Sequence, residues 1–202
     1  TGHLEKNVQK VKTFWADTEA FLNEMYMRDL GVRFEVVNDE RLIIKDATKE
    51  TFASTRNASY VKDNSTIVIN NLIGENSYDV GISLVYTSSQ KEAGIRGLAY
   101  LEGVYQPNTK ADAVAVLTKE VIAHEIGHLF GGRHTFGSHK GSSAYDSEKT
   151  ELDSGTSVMS YGSPRDFFSL SSIERIRQRL TQVPAKAKDK TFATQAPRID
   201  HS

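Results

Sequence analysis

Cysteine is absent from this chain of 202 residues, and so are long apolar runs and any large excess of charge. Without cysteine the protein can form neither disulfides nor thiolate metal sites, and it has no cysteine nucleophile. No apolar run approaches the roughly 20 residues that span a bilayer, so we expect no membrane span. The net charge of −1 gives no electrostatic reason to expect nucleic acid as a partner.

The sequence does not begin with methionine, and no signal-peptide pattern opens it. We therefore expect any export signal or propeptide to lie upstream. The length fits a single domain, which a deep cleft could divide into two lobes. We find no internal repeat and no pattern that indicates a second domain.

One stretch, from His124 to His134, carries most of the chemical information and has the pattern H-E-x-x-H-x-x-G-x-x-H. His124 and His128 are four residues apart, so on an α-helix they lie on one face and can bind the same metal ion. Gly131 can adopt the left-handed conformation that ends a helix and turns the chain. That turn would bring His134 back as a third ligand. Three neutral imidazoles with a fourth position open are typical of a catalytic zinc site.

Glu125 follows the first histidine and could reach a water molecule at the metal without being a ligand, which predicts a general base. A chance match at five fixed positions has a probability of roughly 10⁻⁴ in a chain of this length. Imidazole suits zinc, copper, iron and nickel alike, so the residues alone leave the metal open. His139 lies nearby, but we do not expect it to bind, because the third ligand position is already filled.

Apolar residues at a three-to-four spacing predict amphipathic helices in three segments. These are residues 4–27, a motif helix that begins between 112 and 118 and ends near 130, and a last helix from a serine cap at 169 or 171 to about 180. Alternating apolar residues predict strands at 32–37 and 78–87, and a second short strand at 41–45. Residues 66–73 fit either a helix capped by Asn64 or a strand.

A compact turn is predicted at Ser-Val-Met-Ser-Tyr-Gly, residues 157–162. Together with the long zinc motif, this turn resembles the metzincin metallopeptidases, whose "Met-turn" lies under the zinc. Gly-Leu-Ala-Tyr-Leu-Glu-Gly at 97–103 looks like the upper-rim strand of the adamalysin (reprolysin) branch. Tyr-Asp-Val-Gly at 78–81 is similar to bacterial reprolysin-like members of that branch. The resemblance covers roughly residues 28–179.

The resemblance implies an α/β (α+β) fold with a cleft between two lobes. The upper lobe, about 1–131, would hold a twisted mixed sheet and two long helices. The lower lobe, about 132–184, would be mostly irregular with a C-terminal helix, and about 185–202 would form a polar tail. Three features depart from the family: the disulfides of that branch are absent, Thr135 stands where typical adamalysins have Asp, and a helix begins almost at once where the fold normally opens with a strand.

The resemblance also implies a zinc-dependent endopeptidase that is secreted, either extracellular or periplasmic, and acts on proteins or peptides. We expect a monomer. The rim strand would pair with an extended substrate as an added β-strand, and Met159 would pack beneath the metal. The residues implied are the zinc ligands His124, His128 and His134, the base Glu125, and Leu98, Ala99 and Tyr100 for substrate binding.

Several alternatives remain open. Tyr161 follows Met159 by two positions, a spacing that resembles astacins and serralysins, where the tyrosine can bind zinc and then hold the developing oxyanion. It could equally be a packed residue whose hydroxyl is satisfied. The protein could also hydrolyse another bond, or be an inactive metal-binding module. Calcium binding has little support, because the acidic residues lack EF-hand spacing and suit a solvated loop; these are Asp146, Glu148, Glu151 and Asp153.

Overall fold

The computed structural model describes residues 8–44, 52, 57–85, 96–138 and 147–183. These residues form four α-helices and a mixed three-stranded sheet, which confirms the predicted α+β class. The helices are α1 (Val8–Leu30), α2 (Ala58–Ile73), α3 (Lys119–Leu129) and α4 (Leu170–Leu180), and the strands are β1 (Ser83–Val85), β2 (Gly97–Ala99) and β3 (Ala113–Val116). None of these helices is long and apolar enough to cross a membrane.

Strand β3 is the centre of the sheet, with β1 parallel on one side and β2 antiparallel on the other. Its sequence, Ala-Val-Ala-Val, is buried throughout because helices cover both faces. Val114 packs against α2, whereas Ala115 and Val116 join the core cluster that contains α3. The strand leads through Thr118 directly into α3. The sheet therefore fixes where the histidine motif begins.

Tyr26 of α1 connects the first helix to the rest of the core. It is fully buried, and its hydroxyl donates a hydrogen bond to the carbonyl oxygen of Ala123 at 2.7 Å. Its ring makes edge contacts with Phe34, Phe130 and Phe168, at centroid distances of 4.9, 5.9 and 4.8 Å. Because Phe168 follows the turn at 157–162, this cluster fastens the C-terminal part of the chain to α1 and α3.

The predicted strand at 32–37 is wrong. Side chains of α1 take the hydrogen bonds that a neighbouring strand would need: the N–H of Phe34 donates to Oδ1 of Asn23 at 2.7 Å, and the N–H of Val36 donates to Oε2 of Glu19 at 2.8 Å. In place of a strand at 41–45, Glu40–Leu42 form one turn of 3-10 helix, and residues from 45 lie outside the described ranges. At 78–87 the strand begins only at Ser83, and residues 86 and 87 are also outside.

The predicted helices agree with the structure better than the predicted strands do. Helix α1 runs on to Leu30, while residues 4–7 lie outside the described part of the chain. Residues 66–73 are helical, but as the second half of α2, whose cap is Asn57 rather than Asn64. The motif helix begins only at Lys119, because residues 113–116 are the central strand. Helix α4 has the predicted cap at Ser169. The lobe and tail boundaries stay a prediction.

Candidate metal centre

Helix α3 carries two of the three motif histidines on its buried side. His124 is 4% exposed, and the ring of His128, one turn later, stands perpendicular to it at a centroid distance of 4.7 Å. The helix packs on β2 and β3 and is buried at most positions, whereas His128 is partly exposed. Local sequence spacing and the buried sheet thus place both imidazoles on one rigid element.

Gly131 ends α3 as predicted, with a φ of +97°. Its N–H donates to the carbonyl of His128 at 2.9 Å, and the N–H of Gly132 donates to the carbonyl of Gly127 at 2.8 Å. These two bonds make the Schellman motif that closes many helices, and the positive φ explains the glycine. The chain reverses there and returns His134 to the side of the helix that carries the other two histidines.

The three imidazoles converge on one point. Their Nε2 atoms are 3.1 Å apart for His124 and His128, 3.1 Å for His128 and His134, and 3.2 Å for His124 and His134. Three nitrogens at these separations can each reach one zinc ion at the usual Zn–N distance of about 2.0–2.1 Å. The group therefore fits one zinc ion with a further coordination position open.

Backbone carbonyls fix which ring nitrogen points at the metal. Nδ1 of His124 lies 2.7 Å from the carbonyl oxygen of Val158, and Nδ1 of His128 lies 2.7 Å from that of Gly132. A carbonyl can only accept, so each Nδ1 carries the proton and each Nε2 keeps a free lone pair. Burial lowers the pKa of His124 well below its usual value, and burial together with His134 lowers that of His128 to about 3. Both rings are therefore neutral at pH 7, the form that binds metal.

Glu125 lies beneath strand β2, on the helix that carries the first two histidines. It is 5% exposed. A Cβ atom at Gly97 would collide with its Oε1 and lie 2.6 Å from its Cγ. Burial raises the pKa of Glu125 to about 8, which makes its carboxylate a stronger base than an exposed one. Sequence patterns did not reveal that Gly97 is needed to leave this space.

Met159 lies against the underside of the metal-binding helix. It is fully buried, and a Cβ atom at Gly127 would collide with its Sδ, while one at Gly132 would lie 3.1 Å from it. Glycine at these two positions therefore lets the turn at 157–162 approach closely enough for Val158 to accept the His124 hydrogen bond. The contribution of Gly127, Gly132 and the Val158 carbonyl has no signal in the local sequence.

Tyr161 lies beside the third histidine. Its hydroxyl oxygen is 3.2 Å from Nε2 of His134, and its ring is 4.9 Å from the His134 ring and 4.6 Å from the Phe136 ring, between centroids. The side chain is 37% exposed, so solvent and ligands can reach it. Its ring is therefore packed against other aromatic rings, while its hydroxyl lies near Nε2 of His134.

Strand β2 is an edge of the sheet among the described residues. The carbonyl of Arg96 accepts from the N–H of Val116, and the N–H of Tyr100 donates to the carbonyl of Asp112, just before β3. In this antiparallel register the backbone groups of the intervening odd positions, 97 and 99, point to the other edge. Leu98 packs inward and the side chain of Tyr100 is 48% exposed. The edge that passes over Glu125 thus presents backbone donors and acceptors.

The remaining candidates lie elsewhere. His139 and Asp146 are outside the described residues. Glu148 pairs with Arg175, and the Glu151 carboxylate accepts hydrogen bonds from buried hydroxyls, so neither belongs to a solvated acidic loop. These partners give calcium binding no support.

A glycine-ended helix with two histidines, a third histidine beyond it and a methionine turn beneath form the type of site found in zinc metallopeptidases of the metzincin class. The sequence-family model of the reprolysin-like metallopeptidases, family M12B, matches residues 8–182 of this chain. The chain belongs to this family. A comparison with curated proteins found no match.

Removing one imidazole should remove the metal. We expect purified wild-type protein to contain about one zinc ion per chain, because three imidazoles suffice for a high-affinity site, and His128→Ala to contain far less than one. Elemental analysis after dialysis measures this directly. His3→Ala, outside the motif, is the control and should keep the wild-type zinc content. Equal zinc in wild type and His128→Ala would contradict the assignment.

Proposed function

We propose that the protein is a secreted, zinc-dependent endopeptidase in which Glu125 is the general base. The observation that carries this proposal is the buried Glu125 carboxylate on the helix of the converging imidazoles, beneath a strand that is an edge of the sheet among the described residues. Zinc held by His124, His128 and His134 would polarise the scissile carbonyl and acidify the attacking water. The protein then has to supply a base, a place for the substrate and charge stabilisation.

Glu125 is suited to move the proton. As the water attacks the carbonyl carbon, the carboxylate would accept its proton, and the resulting carboxylic acid would then donate that proton to the leaving amine. Burial raises the basicity of the carboxylate, which favours the first transfer. A bound cation offsets part of this increase in pKa, so the group can still be ionised when substrate arrives.

Strand β2 is suited to hold the substrate. A peptide in extended conformation would pair with the backbone of Gly97 and Ala99 as an added strand, with Leu98 and Tyr100 shaping the rim. Backbone pairing is independent of the substrate's termini, which favours cleavage inside a chain. An inactive metal-binding module is the alternative, but such a module has no need for a buried carboxylate beside its metal.

The proposal predicts that Glu125→Gln keeps the zinc and loses the activity. The amide preserves the shape of the side chain but cannot accept the proton, so kcat should fall by about 10²–10⁴-fold. Hydrolysis of an internally quenched peptide, together with zinc analysis of the same sample, measures both properties. Glu174→Gln, the same change at an exposed position of α4, is the matched control and should leave both unchanged.

Near-normal turnover by zinc-loaded Glu125→Gln would contradict the role of Glu125 as base. An inactive wild-type protein that still binds zinc would instead favour the metal-binding module. The two results are distinguishable because the first concerns only the variant.

We further propose that Tyr161 stabilises the developing oxyanion. The support is its hydroxyl, which lies 3.2 Å from Nε2 of His134 and is reachable from solvent. From there it could donate a hydrogen bond to the substrate's carbonyl oxygen as negative charge grows on it. The other reading is a packing role, supported by the contact of its ring with Phe136.

Tyr161→Phe separates these readings because it removes only the hydroxyl. If the hydroxyl acts in the transition state, kcat and kcat/KM should fall together by about 10- to 1,000-fold while zinc content stays the same. Tyr60→Phe, at a half-exposed position of α2, is the control and should behave as wild type. Single-turnover kinetics decide between the readings: an unchanged kcat would leave Tyr161 with packing alone.

A further inference from the structure

We propose that Glu151 is a positioning residue that ties the third zinc-binding histidine to the turn at 157–162. This inference rests on the proposed function only in taking the three histidines as zinc ligands. Its carboxylate contacts the residue that follows His134, and it also contacts the residues on both sides of Val158 and Met159. No sequence motif indicates such a role.

The Glu151 carboxylate accepts five hydrogen bonds. Oε1 accepts from the backbone N–H groups of Thr156 at 2.9 Å and Ser157 at 3.0 Å. Oε2 accepts from Oγ of Ser157 at 2.5 Å, from Oγ of Ser160 at 2.5 Å and from Oγ1 of Thr135. Thr135, Ser157 and Ser160 are fully buried. One carboxylate therefore binds three buried hydroxyls and two backbone N–H groups.

Such an arrangement needs an ionised carboxylate. All three hydroxyls lie within hydrogen-bond distance of Oε2, and two backbone N–H groups donate to Oε1, so both oxygens act as acceptors. Burial by itself would raise the pKa of Glu151, but the bonds from Ser157, Ser160 and Thr135 outweigh it and lower the pKa to about 2. The group is therefore charged at neutral pH, and its hydrogen bonds are of the stronger, charge-assisted kind.

The backbone reinforces the connection. The N–H of Glu151 donates to the carbonyl of Thr135 at 2.8 Å, and the N–H of Thr135 donates to the carbonyl of Met159 at 3.2 Å. Thr135 is thus held from both sides, and it stands where the typical adamalysins have an acidic residue. The carboxylate that contacts Thr135 here belongs to a residue 16 positions further along the chain.

Anchoring by Glu151 matters most for His134, because this histidine lies on irregular chain. His124 and His128 are positioned by a helix, whereas His134 follows the glycine turn, outside the helices and strands, and pairs only through a single bridge with Ser147. An adjacent residue anchored to the turn that also supports His124 would hold the three imidazoles in one arrangement. The same contacts also position Tyr161. Its neighbour Ser160 bonds to the Glu151 carboxylate, and its own N–H donates to the carbonyl of Ser154 at 3.0 Å.

The test compares Glu151→Gln with Asp153→Asn in the full chain. Both changes replace one carboxylate by an amide within the same segment, and asparagine tolerates the positive φ of 47° at position 153. In Glu151→Gln the side-chain NH₂ replaces one acceptor oxygen, so it faces hydroxyl or N–H groups that donate to the carboxylate in the wild type. We expect the zinc affinity of Glu151→Gln to fall by about 10–100-fold, the range seen when partners of metal ligands are removed. Asp153→Asn should keep the wild-type affinity.

Competition with a chromogenic zinc chelator measures the affinity, and the visible spectrum of the cobalt-substituted protein reports the ligand geometry. A residue with only a structural role would lower the unfolding midpoint without altering either readout. Thr135→Val, which removes one donor, should weaken zinc binding. Thr135→Ser, which retains the hydroxyl, should keep the wild-type zinc affinity. If Glu151→Gln fails to fold, this second pair decides.

Unchanged zinc affinity in both Glu151→Gln and Thr135→Val, with zinc bound by the wild type, would overturn this inference and leave the proposed function intact. A wild-type protein that binds no zinc would overturn both.

Discussion

The convergence of three imidazole nitrogens within 3.2 Å of one another is the constraint on which the rest of the structure depends. Neutral imidazoles point their lone pairs at one another without any attraction of their own, so the arrangement has to be imposed by the surrounding chain. Helix α3 supplies two of the rings at fixed spacing, and the Schellman motif at Gly131 supplies the reversal for the third. Carbonyl oxygens of Val158 and Gly132 orient the rings.

Two different kinds of structure meet at this point. The helix and the central strand β3 are ordered by regular backbone hydrogen bonds and by burial on both faces. The chain from 132 to 168 has no helix or sheet strand among its described residues, and a single bridge, separate backbone hydrogen bonds and side-chain contacts order it instead. Met159 fits against Gly127, Phe168 packs on Tyr26, and Glu151 gathers buried hydroxyls. The site is rigid because these contacts connect the irregular segment to the regular one at several points.

The parts of this arrangement that the sequence predicts are those with a local cause. The spacing of His124 and His128, the helix stop at Gly131 and the cap at Ser169 each depend on neighbouring residues, and the structure has all three. The sequence predicts the wrong local structure where contacts with distant residues determine the conformation. The segment 32–37 alternates like a strand, yet α1 side chains bind its backbone. The sequence around Glu151 predicts a solvated loop, because nothing nearby indicates that Thr135 and Ser160 fold against it.

The central claim, a zinc-dependent endopeptidase, is tested most directly by following cleavage of a peptide blocked at both termini while zinc is removed and restored. Mass spectrometry of the products shows whether the bond broken is internal. We expect internal cleavage by the zinc-loaded protein, its loss after treatment with 1,10-phenanthroline, and its recovery when about one zinc ion per chain is returned. Cleavage that persists undiminished in the metal-free protein would contradict the claim.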